Sequence, residues 1–375
     1  MTDPADPDRR LTWALVIATY NRPAVLARCL SCAITQSRPP AEIVVIDGSD
    51  EWQASADTTR ELVEKQNSPI ALVYEPAAEP SLTAQRNQGV DRATADILFM
   101  IDDDPLMYED CAEHVMDVFD HADAGHIAGV VTALDSTPPD TTTEQHQGAE
   151  TPAVQGGQKL RSGRSGSVAK FLRGDYLPMY DDPAPAWDIP QTLLDAFGCT
   201  PFRRIHGARM VFRRSVFDTV RFDAKLRRYA YLEDNDFGFR AGRLGPIVHA
   251  PNARLCHLIY KPGRINRRRV SEMAVINGAY LTQKNAADPS RALRRLRSDS
   301  RKRSILEFAK DLKRKQWALP GFRGTWAGVR EAGRLGRVSG EALDAAYSQS
   351  LTRLLGAEQP NSNPQTAPKP TAEAA

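Results

Sequence analysis

The chain has 375 residues, of which 41% are hydrophobic and 26% are charged, values typical of a soluble globular protein. Its formal net charge is +2 at pH 7, so no nucleic-acid partner is expected, and no apolar run approaches the roughly 18 residues of a membrane span. Five scattered cysteines favour free thiols in a reducing compartment. Residues 1–10 are acidic and proline-rich with no apolar segment behind them, which predicts a flexible lead and a cytoplasmic location rather than a secretory signal.

From residue 11 onward, short apolar runs alternate with segments of helical periodicity. The first run ends at Asn21, which can cap the following helix, and Pro23 suits the first turn of that helix. Strands that alternate with helices predict an α/β fold with a doubly wound, mostly parallel sheet. The predicted strands of this part are residues 13–18, 41–47, 69–75 and 97–102, and the predicted helices are residues 23–34, 53–67 and 81–93.

The second half of the chain is less regular. Residues 135–166 are rich in Thr, Pro, Gly and Gln and lack periodicity, so they predict a polar insertion or long loop, and residues 168–200 are expected to be irregular. The other predicted elements are a helix at 108–122, strands at 126–134 and 208–213, a helix that begins in the acidic segment "LEDND", a closing strand within 246–258, and helices at 269–283 and 290–316.

Three adjacent carboxylates, Asp102, Asp103 and Asp104, follow the buried strand that begins at Ile97. Like charges at this spacing repel one another, so the arrangement is favourable when a cation is present. If strand geometry persists, Asp102 and Asp104 share one side. Mg²⁺ and Mn²⁺ accept one or two such carboxylates together with phosphate oxygens. The alternative is an acidic turn that caps the helix at Tyr108, and the stretch by itself leaves both interpretations open.

Polar residues also end two other predicted strands, "TYN" at 19–21 and "DGSD" at 47–50. In an open parallel sheet, ligands bind beyond the carboxyl ends of the strands. These two strand ends and the aspartate cluster are therefore expected to meet in one ligand-binding crevice.

The ordered set of motifs over residues 12–260 resembles the family 2 inverting glycosyltransferases, which have the GT-A fold. The resemblance implies a GT-A catalytic domain over residues 11–265, a basic helical appendix over 266–357 and a disordered tail over 358–375. It also implies a nucleotide-sugar donor, a divalent metal and inversion at the anomeric carbon. The segments that carry it are "VIATYNRP", "IVVIDGSD", "LTAQRNQGV", "ILFMIDDDP", "RMVFRRSVFD" with "YLEDNDFGFR", and "ARLCHL".

Roles follow from the resemblance, position by position. Asp234 is the implied catalytic base, with Glu233 beside it to orient the acceptor and Asp236 as a reserve. The second-strand turn is one residue shorter than the usual pattern, which makes the contact at Asp47 less secure than the metal contact at Asp104. The implied metal ligands for Mn²⁺ or Mg²⁺ are Asp104, Asp102 and His257, and the implied nucleotide-sugar contacts are Thr19, Tyr20, Asn21, Arg22, Asp47, Arg86, Asn87, Asp102 and Asp103.

Other interpretations stay open at this point. The "EDND" segment could be an acidic first helical turn paired with Arg240. A sugar nucleotidyltransferase also uses a doubly wound sheet and Mg²⁺, but its usual Gly-rich basic loop after the first strand is missing from "ATYNRP". A non-catalytic nucleotide-sugar binding protein would tolerate loss of the carboxylates, and all of them are present.

The basic appendix predicts a partner. Residues 304–329 combine apolar side chains, Lys and Arg with two tryptophans, a composition that suits an interfacial helix on an anionic membrane. Such contact would hold the enzyme peripherally on the inner face of the cell membrane. It would suit a glycan or lipid-linked glycan acceptor in the biosynthesis of cell-envelope polysaccharide. Packing of these helices against the catalytic domain is the alternative.

Overall fold

The protein is described by a computed structural model. It covers residues 10–66, 69–121, 124–139, 153–154, 172, 174–259 and 266–356. The predicted flexible lead, most of the polar insertion and the predicted tail lie outside the described residues.

Ten strands and ten α-helices are assigned within the described residues. The strands are β1 (Trp13–Thr19), β2 (Glu42–Asp47), β3 (Ala71–Pro76), β4 (Ile97–Met100), β5 (Pro105–Met107), β6 (Gly129–Asp135), β7 (Ala153–Val154), β8 (Thr200–Pro201), β9 (Met210–Arg213) and β10 (Ile247–Ile259). The helices are α1 (Pro23–Ile34), α2 (Gln53–Glu64), α3 (Leu82–Arg92), α4 (Cys111–Asp120), α5 (Gln191–Phe197), α6 (Glu233–Ala241), α7 (Arg267–Asn285), α8 (Pro289–Lys313), α9 (Pro320–Leu335) and α10 (Glu341–Leu355).

The sheet has the strand order β3-β2-β1-β4-β9-β6-β10-β5, and short β7 and β8 pair with β10. Strands β3, β2, β1 and β4 are parallel neighbours, β6 is parallel to β10, and β9 runs against both β4 and β6. The long strands of the sheet are therefore mostly parallel, as predicted, and β9, β5 and the short β7 and β8 are its antiparallel members.

Both faces of the sheet are covered, and its central strands are predominantly apolar and buried. On β1, Leu15 and Ile17 pack into a cluster with α1 and α4, whereas Ala14 and Val16 pack into a second cluster with residues of α3 and α6. This alternation is the side-chain period of a strand buried on both faces. The doubly wound α/β prediction is confirmed.

Strand β5 was not predicted. It has three residues, begins with Pro105 and pairs antiparallel with Leu255 to His257 on β10. A segment this short carries no periodicity, so the sequence alone could not reveal it. Its consequence is functional, because it brings the end of the aspartate cluster beside His257.

Residues 174–200 are more ordered than expected. A 3₁₀ turn covers Pro178–Asp181, and α5 follows the proline-rich stretch. Tyr180 is buried, donates from its hydroxyl to the Asn235 carbonyl at 2.6 Å and packs edge-on against Phe239. This tyrosine anchors the segment against α6.

The predicted C-terminal helices are confirmed as α7 to α10. They share an apolar core with the 3₁₀ turn at Pro178–Asp181 and with Leu226 and Phe239 of the sheet domain. Asn285 at the end of α7 donates to Asp236 on α6 at 2.7 Å. The appendix is therefore packed directly on the element that carries Asp234. No helix within the described ranges is both long and apolar enough to cross a membrane.

Candidate functional site

Asp103 holds the end of the first strand against the aspartate cluster. Its buried carboxylate accepts hydrogen bonds from Thr19 Oγ1 at 2.8 Å and from Arg22 Nη1 at 3.1 Å. Burial raises the pKa of Asp103 to about 6, and the nearby Arg22 charge opposes this rise. Three residues predicted for nucleotide-sugar binding thus form one hydrogen-bonded unit.

Asp102, Asp104 and His257 form a second group. His257 Nε2 lies 3.0 Å from Asp104 Oδ1, and each of the three residues offers a ligand atom within 4.8 Å of the others. Two carboxylate oxygens and one imidazole nitrogen suit Mn²⁺, and Mg²⁺ less typically. The donor set therefore fits the expected divalent ion, and the structure brings together all three predicted ligands.

The alternative reading of the cluster as a helix cap does not hold. Helix α4 begins at Cys111 after Asp110, and β5 separates it from Asp104. The three aspartates therefore precede the first turn of α4. They are too far from the free N–H groups of that turn to accept hydrogen bonds from them.

Arg86 links the cluster to the acidic segment of α6. Its guanidinium is buried, with Nη2 donating to Asp102 Oδ1 at 2.6 Å and Nη1 lying 2.6 Å from Glu233 Oε1. Burial acts to raise the pKa of Glu233, and the Arg86 charge at 2.6 Å opposes that rise and favours the ionised carboxylate. Arg86 thus pairs with both Asp102 and Glu233 and joins the aspartate cluster to the start of α6.

Asp234 is held by backbone and side-chain donors. Its Oδ2 accepts from Gly207 N at 2.8 Å, and its Oδ1 accepts from the Asn235 backbone and side-chain amides at 2.7 Å. A Cβ at position 207 would lie 3.0 Å from Arg86 Nη2, so glycine permits this close approach. A carboxylate has about four acceptor positions, so three bonds orient Asp234 and leave capacity for a proton.

Asp236 is a structural residue. It is buried, forms an ion pair with Arg240 and accepts from Asn285. The alternative reading of this segment as an acidic turn paired with Arg240 therefore describes Asp236. The acidic-turn interpretation does not describe Asp234, because its hydrogen-bond partners are amides. The reserve catalytic role of Asp236 is set aside.

A strained turn precedes α6. Arg228, Ala230 and Leu232 have φ values of 58°, 43° and 77°, in the left-handed region that non-glycine residues seldom occupy. Neighbouring helices hold the turn, since Ser81 Oγ accepts from Arg228 N and Asn277 of α7 donates to the Tyr231 carbonyl. This turn fixes the start of α6 and therefore the positions of Glu233 and Asp234.

Asp47 is committed to partners at the second strand end. Its Oδ1 accepts from the Ser49 backbone amide at 2.8 Å, and its Oδ2 accepts from the Tyr74 hydroxyl at 2.6 Å. Burial and this bond raise the pKa of Tyr74. Tyr20 remains exposed beside this turn, and Asn21 N donates to Ser49 Oγ at 2.7 Å. Sequence reasoning gave no role to Ser49, although it lies within the "DGSD" segment, and it missed Tyr74, which belongs to none of the quoted motifs.

The expected role of Asn87 needs correction. Its side-chain amide donates to the Phe222 carbonyl at 2.9 Å and accepts from Phe222 N at 3.0 Å, so both polar ends are used by the backbone. Gln85, two residues earlier, was missed and donates to the carbonyls of Thr19 and Ile46. Helix α3 thus contributes Arg86 to the site and uses its flanking amides to fix two loops.

Arg209 is a second buried arginine near Asp234. It lies two residues after Gly207, donates to the Thr132 carbonyl at 3.2 Å and stacks over the Phe202 ring. Its Nε and Nη2 have no hydrogen-bond partner, and burial lowers its pKa to about 10. Sequence reasoning missed Arg209, because a single arginine just before an apolar strand forms no recognisable pattern.

Residues 14–221, more than half of the chain, match the sequence model of a protein family described as Glycosyl transferase family 2. The match ends before Glu233, Asp234 and His257, so their grouping with the aspartate cluster is a finding of the structure. No curated protein sequence matches the chain.

Several solved structures are similar. Staphylococcus aureus TarS 1-349 in complex with UDP-GlcNAc is 12% identical, with 91% of this chain and 88% of that chain covered and a TM-score of 0.49. The mannosyltransferase PcManGT from Pyrobaculum calidifontis, in complex with GDP-Man and Mn²⁺, is 14% identical, with coverages of 94% and 90% and a TM-score of 0.47. The match to a longer TarS structure, 12% identical with a TM-score of 0.43, covers 77% of this chain and 43% of that chain.

Proposed function

Because the chain belongs to glycosyl transferase family 2, we propose that it moves a sugar, with inversion, from a nucleoside-diphosphate donor to a hydroxyl of a glycan or lipid-linked glycan. The chain is a glycosyltransferase, which disfavours the nucleotidyltransferase and the non-catalytic binding protein. One observation carries the proposal: Arg86 connects the predicted metal ligand Asp102 to Glu233, the neighbour of the predicted base Asp234.

The donor side is the crevice at the ends of β1, β2 and β4. Tyr20 is exposed there, and Arg22 lies 4.0 Å from Asp104 Oδ2, so its positive charge stands beside the predicted metal ligands. Asp102, Asp104 and His257 would hold Mn²⁺ or Mg²⁺, which when bound supplies positive charge for the departing diphosphate. Arg22 adds a fixed cation to the same region.

The acceptor side is formed by Asp234. We assign it as the general base that takes the proton of the acceptor hydroxyl while the hydroxyl oxygen forms a bond to the anomeric carbon. The bond from that carbon to the diphosphate oxygen breaks in the same step, and its electron pair leaves with the nucleoside diphosphate. Amide donors on both carboxylate oxygens keep Asp234 oriented for this transfer.

Arg86 and Glu233 are positioning residues in this proposal. Their buried ion pair fixes the start of α6 relative to Asp102. The distance between base and leaving group is then set by side chains that do not touch the substrate. Such fixed geometry supports catalysis, because small displacements of a base reduce its effect strongly.

Calorimetric titration tests the donor site. Wild-type protein and Asp104→Ala would be titrated with UDP, dTDP and GDP, each with and without Mn²⁺, with UDP as the first choice. We expect metal-dependent binding of one nucleotide that is lost in Asp104→Ala. The matched control is Asp110→Ala, which removes a more exposed carboxylate that lies three residues after the end of β5 and pairs with His114. Absence of binding by folded wild-type protein, or equal binding by Asp104→Ala, would overturn the assignment.

We further propose that the tip of the α8–α9 hairpin contacts an anionic membrane. Its apolar side chains are exposed, with Trp317 at 75% and Ile305 at 55%, and Phe322 stacks on Trp326. Exposed Lys313, Arg314 and Lys315 lie between the two helices. Apolar side chains flanked by cations suit the boundary between headgroups and acyl chains. The other faces of these helices pack in the shared core. Membrane contact and packing against the catalytic domain, the two alternatives from the sequence, therefore apply to different faces of the same helices.

Vesicle flotation tests this contact. Wild-type protein is expected to float with vesicles that contain anionic phosphatidylglycerol and much less with neutral phosphatidylcholine vesicles. Trp317→Ala should weaken flotation, whereas Trp187→Ala, a tryptophan 40% exposed on the sheet domain, should leave it unchanged. Equal flotation of the two variants would rule out the tip as the contact.

A further inference from the structure

A groove between α8 and α9 is lined by arginines from both helices. Its cavity has a volume of about 570 Å³, and five guanidinium groups surround it. We call it the arginine groove, defined by Arg294, Arg297, Arg330, Arg334 and Arg337. It belongs neither to the sheet edge nor to the apolar tip of the hairpin.

The arginine groove holds more positive charge than the surrounding carboxylates balance. Among the described residues, a carboxylate lies within salt-bridge distance only of Arg334, through Glu331 at 2.9 Å. Glu272 lies near enough to Arg330 for that charge to oppose the rise in the Glu272 pKa that burial causes. Glu331 is already shared with Arg353 of the neighbouring helix. Four arginines of the groove therefore have no carboxylate within salt-bridge distance in the described part of the chain, and an anion would relieve their mutual repulsion.

The shape of the groove depends on glycine. A Cβ on Gly333 would lie 3.1 Å from Arg297 Nη2, and a Cβ on Gly336 would lie 2.4 Å from Leu293 Cδ2. These two positions bring α9 close to α8 and leave room for the Arg297 guanidinium. The Nε of Arg297 is buried and has no hydrogen-bond partner in the part of the chain that the structure describes. The groove is thus a formed concavity and differs from a convex, solvated helix face.

The arginines stand in register along the groove. Arg330 and Arg334 are four residues apart on α9 and share a face of that helix, and Arg337 follows two residues after the helix ends. Arg294 and Arg297, three residues apart, share a face of α8 in the same way. Guanidinium groups bind phosphate oxygens with two parallel N–H bonds, which suits an anion extended between two facing rows.

We propose that the arginine groove binds an anion that carries two or more phosphate groups. The charge excess exceeds what a single phosphate would neutralise, and the cavity is larger than one orthophosphate needs. The proposal does not rest on the function assigned to the sheet edge. The phosphates belong either to a soluble ligand or to a lipid headgroup, and the experiment separates these sources.

Inorganic pyrophosphate is the probe, titrated calorimetrically at low salt in the presence of EDTA so that no divalent ion is available to the aspartate cluster. We expect saturable binding that weakens as salt rises and that is stronger than binding of orthophosphate. The double variant Arg297→Ala/Arg330→Ala should lower the affinity at least about tenfold, the loss of roughly one charge-assisted contact. Asp104→Ala should bind like wild-type protein, which separates this result from failure of the donor site.

Two further variants distinguish a built groove from general positive charge. Arg301→Ala/Arg323→Ala removes one exposed arginine from each of the same helices outside the groove and should leave the affinity unchanged. Gly333→Leu keeps every charge but displaces Arg297, so it should weaken binding. No saturable binding, or equal losses in the two double variants, would overturn the proposal.

Vesicles that contain cardiolipin, whose headgroup carries two phosphates, identify the source of the phosphate. If flotation with these vesicles depends on Arg297 and Arg330, the ligand is a lipid headgroup. If flotation is the same in the groove variant while pyrophosphate binding is lost, the ligand is soluble. Either result is compatible only with a phosphate site in the groove.

Discussion

The sheet edge and the α8–α9 hairpin both contain many charged side chains, but the two regions differ in how far those charges are paired. At the sheet edge, Asp103 is paired with Arg22, Asp104 with His257, and Arg86 with both Asp102 and Glu233. In the hairpin, most groove arginines lack a carboxylate among the described residues, and large apolar side chains face solvent. The first region keeps its charges buried and oriented, whereas the second leaves them accessible.

This difference separates two tasks. Groups that act on a bond in a substrate must be held in one geometry, and burial with hydrogen bonds achieves this. Groups that attract a partner need exposure and an excess of one sign of charge. The comparison predicts that substitutions at the sheet edge change turnover or stability strongly, and that similar substitutions in the hairpin change neither.

The largest effect is expected for Asp234→Asn. Loss of a general base should lower kcat by about 10²–10⁴-fold, with nucleotide affinity unchanged because Asp234 does not contact the donor crevice. The measurement is release of nucleoside diphosphate in the presence of donor and a glycan acceptor. Asp236→Asn is the matched control and should lower the unfolding temperature more than Asp234→Asn does, since Asp236 is buried against Arg240 and Asn285. Unchanged kcat in Asp234→Asn would remove the base assignment.

Arg86→Met tests the buried charges directly. It leaves Glu233 without its cation in a buried site, which should cost about 3–5 kcal/mol in the free energy of unfolding measured with urea. Adding Glu233→Gln should recover part of this loss. Arg221→Met breaks an exposed pair with Asp91 and should cost no more than about 1 kcal/mol. Similar losses for the two single variants would contradict the comparison.

A smaller effect is expected from pH. Burial, aided by Arg209, lowers the pKa of His249 below its ordinary value of 6.5. The unfolded chain then binds a proton that the folded chain resists, so this residue's contribution to stability falls as pH decreases through 6.5. His249→Gln should flatten the loss of unfolding free energy between pH 7.5 and 5.5. A slope equal to that of wild-type protein would mean that His249 does not titrate in this way.

The smallest effect is expected for Arg330→Gln in the hairpin. The arginine is exposed and has no carboxylate within salt-bridge distance among the described residues, so the free energy of unfolding should stay within about 0.5 kcal/mol of wild type. A slight gain would agree with relief of repulsion in the arginine groove. A loss as large as that of Arg86→Met would show that both regions use charge structurally.

Much of the architecture could be predicted because its signals are local. The apolar runs of β1, β2 and β4 and the helical periodicity of α1 are complete within their own segments, and the structure confirms them. Strand β5 could not be predicted, since its partner lies about 150 residues away on β10 and its three residues have no period.

The site was predictable only in part for a related reason. Motif positions indicated that Asp102, Asp104 and His257 would meet, and they do. The partners of Asn87 and Asp47 depend on Phe222, Ser49 and Tyr74, whose side chains or backbone reach them only after folding. A sequence pattern identifies a polar residue, but it does not reveal whether its hydrogen bonds are already used.

The turn at Arg228, Ala230 and Leu232 has a consequence for how this enzyme can evolve. Each left-handed residue costs on the order of 1 kcal/mol or more, and the neighbouring helices offset that cost in order to hold the start of α6 in place. Selection for heat resistance alone would favour glycine or asparagine at these positions. Such variants would gain robustness at the expense of turnover, so the turn is where adaptation to higher temperature and retention of activity come into conflict.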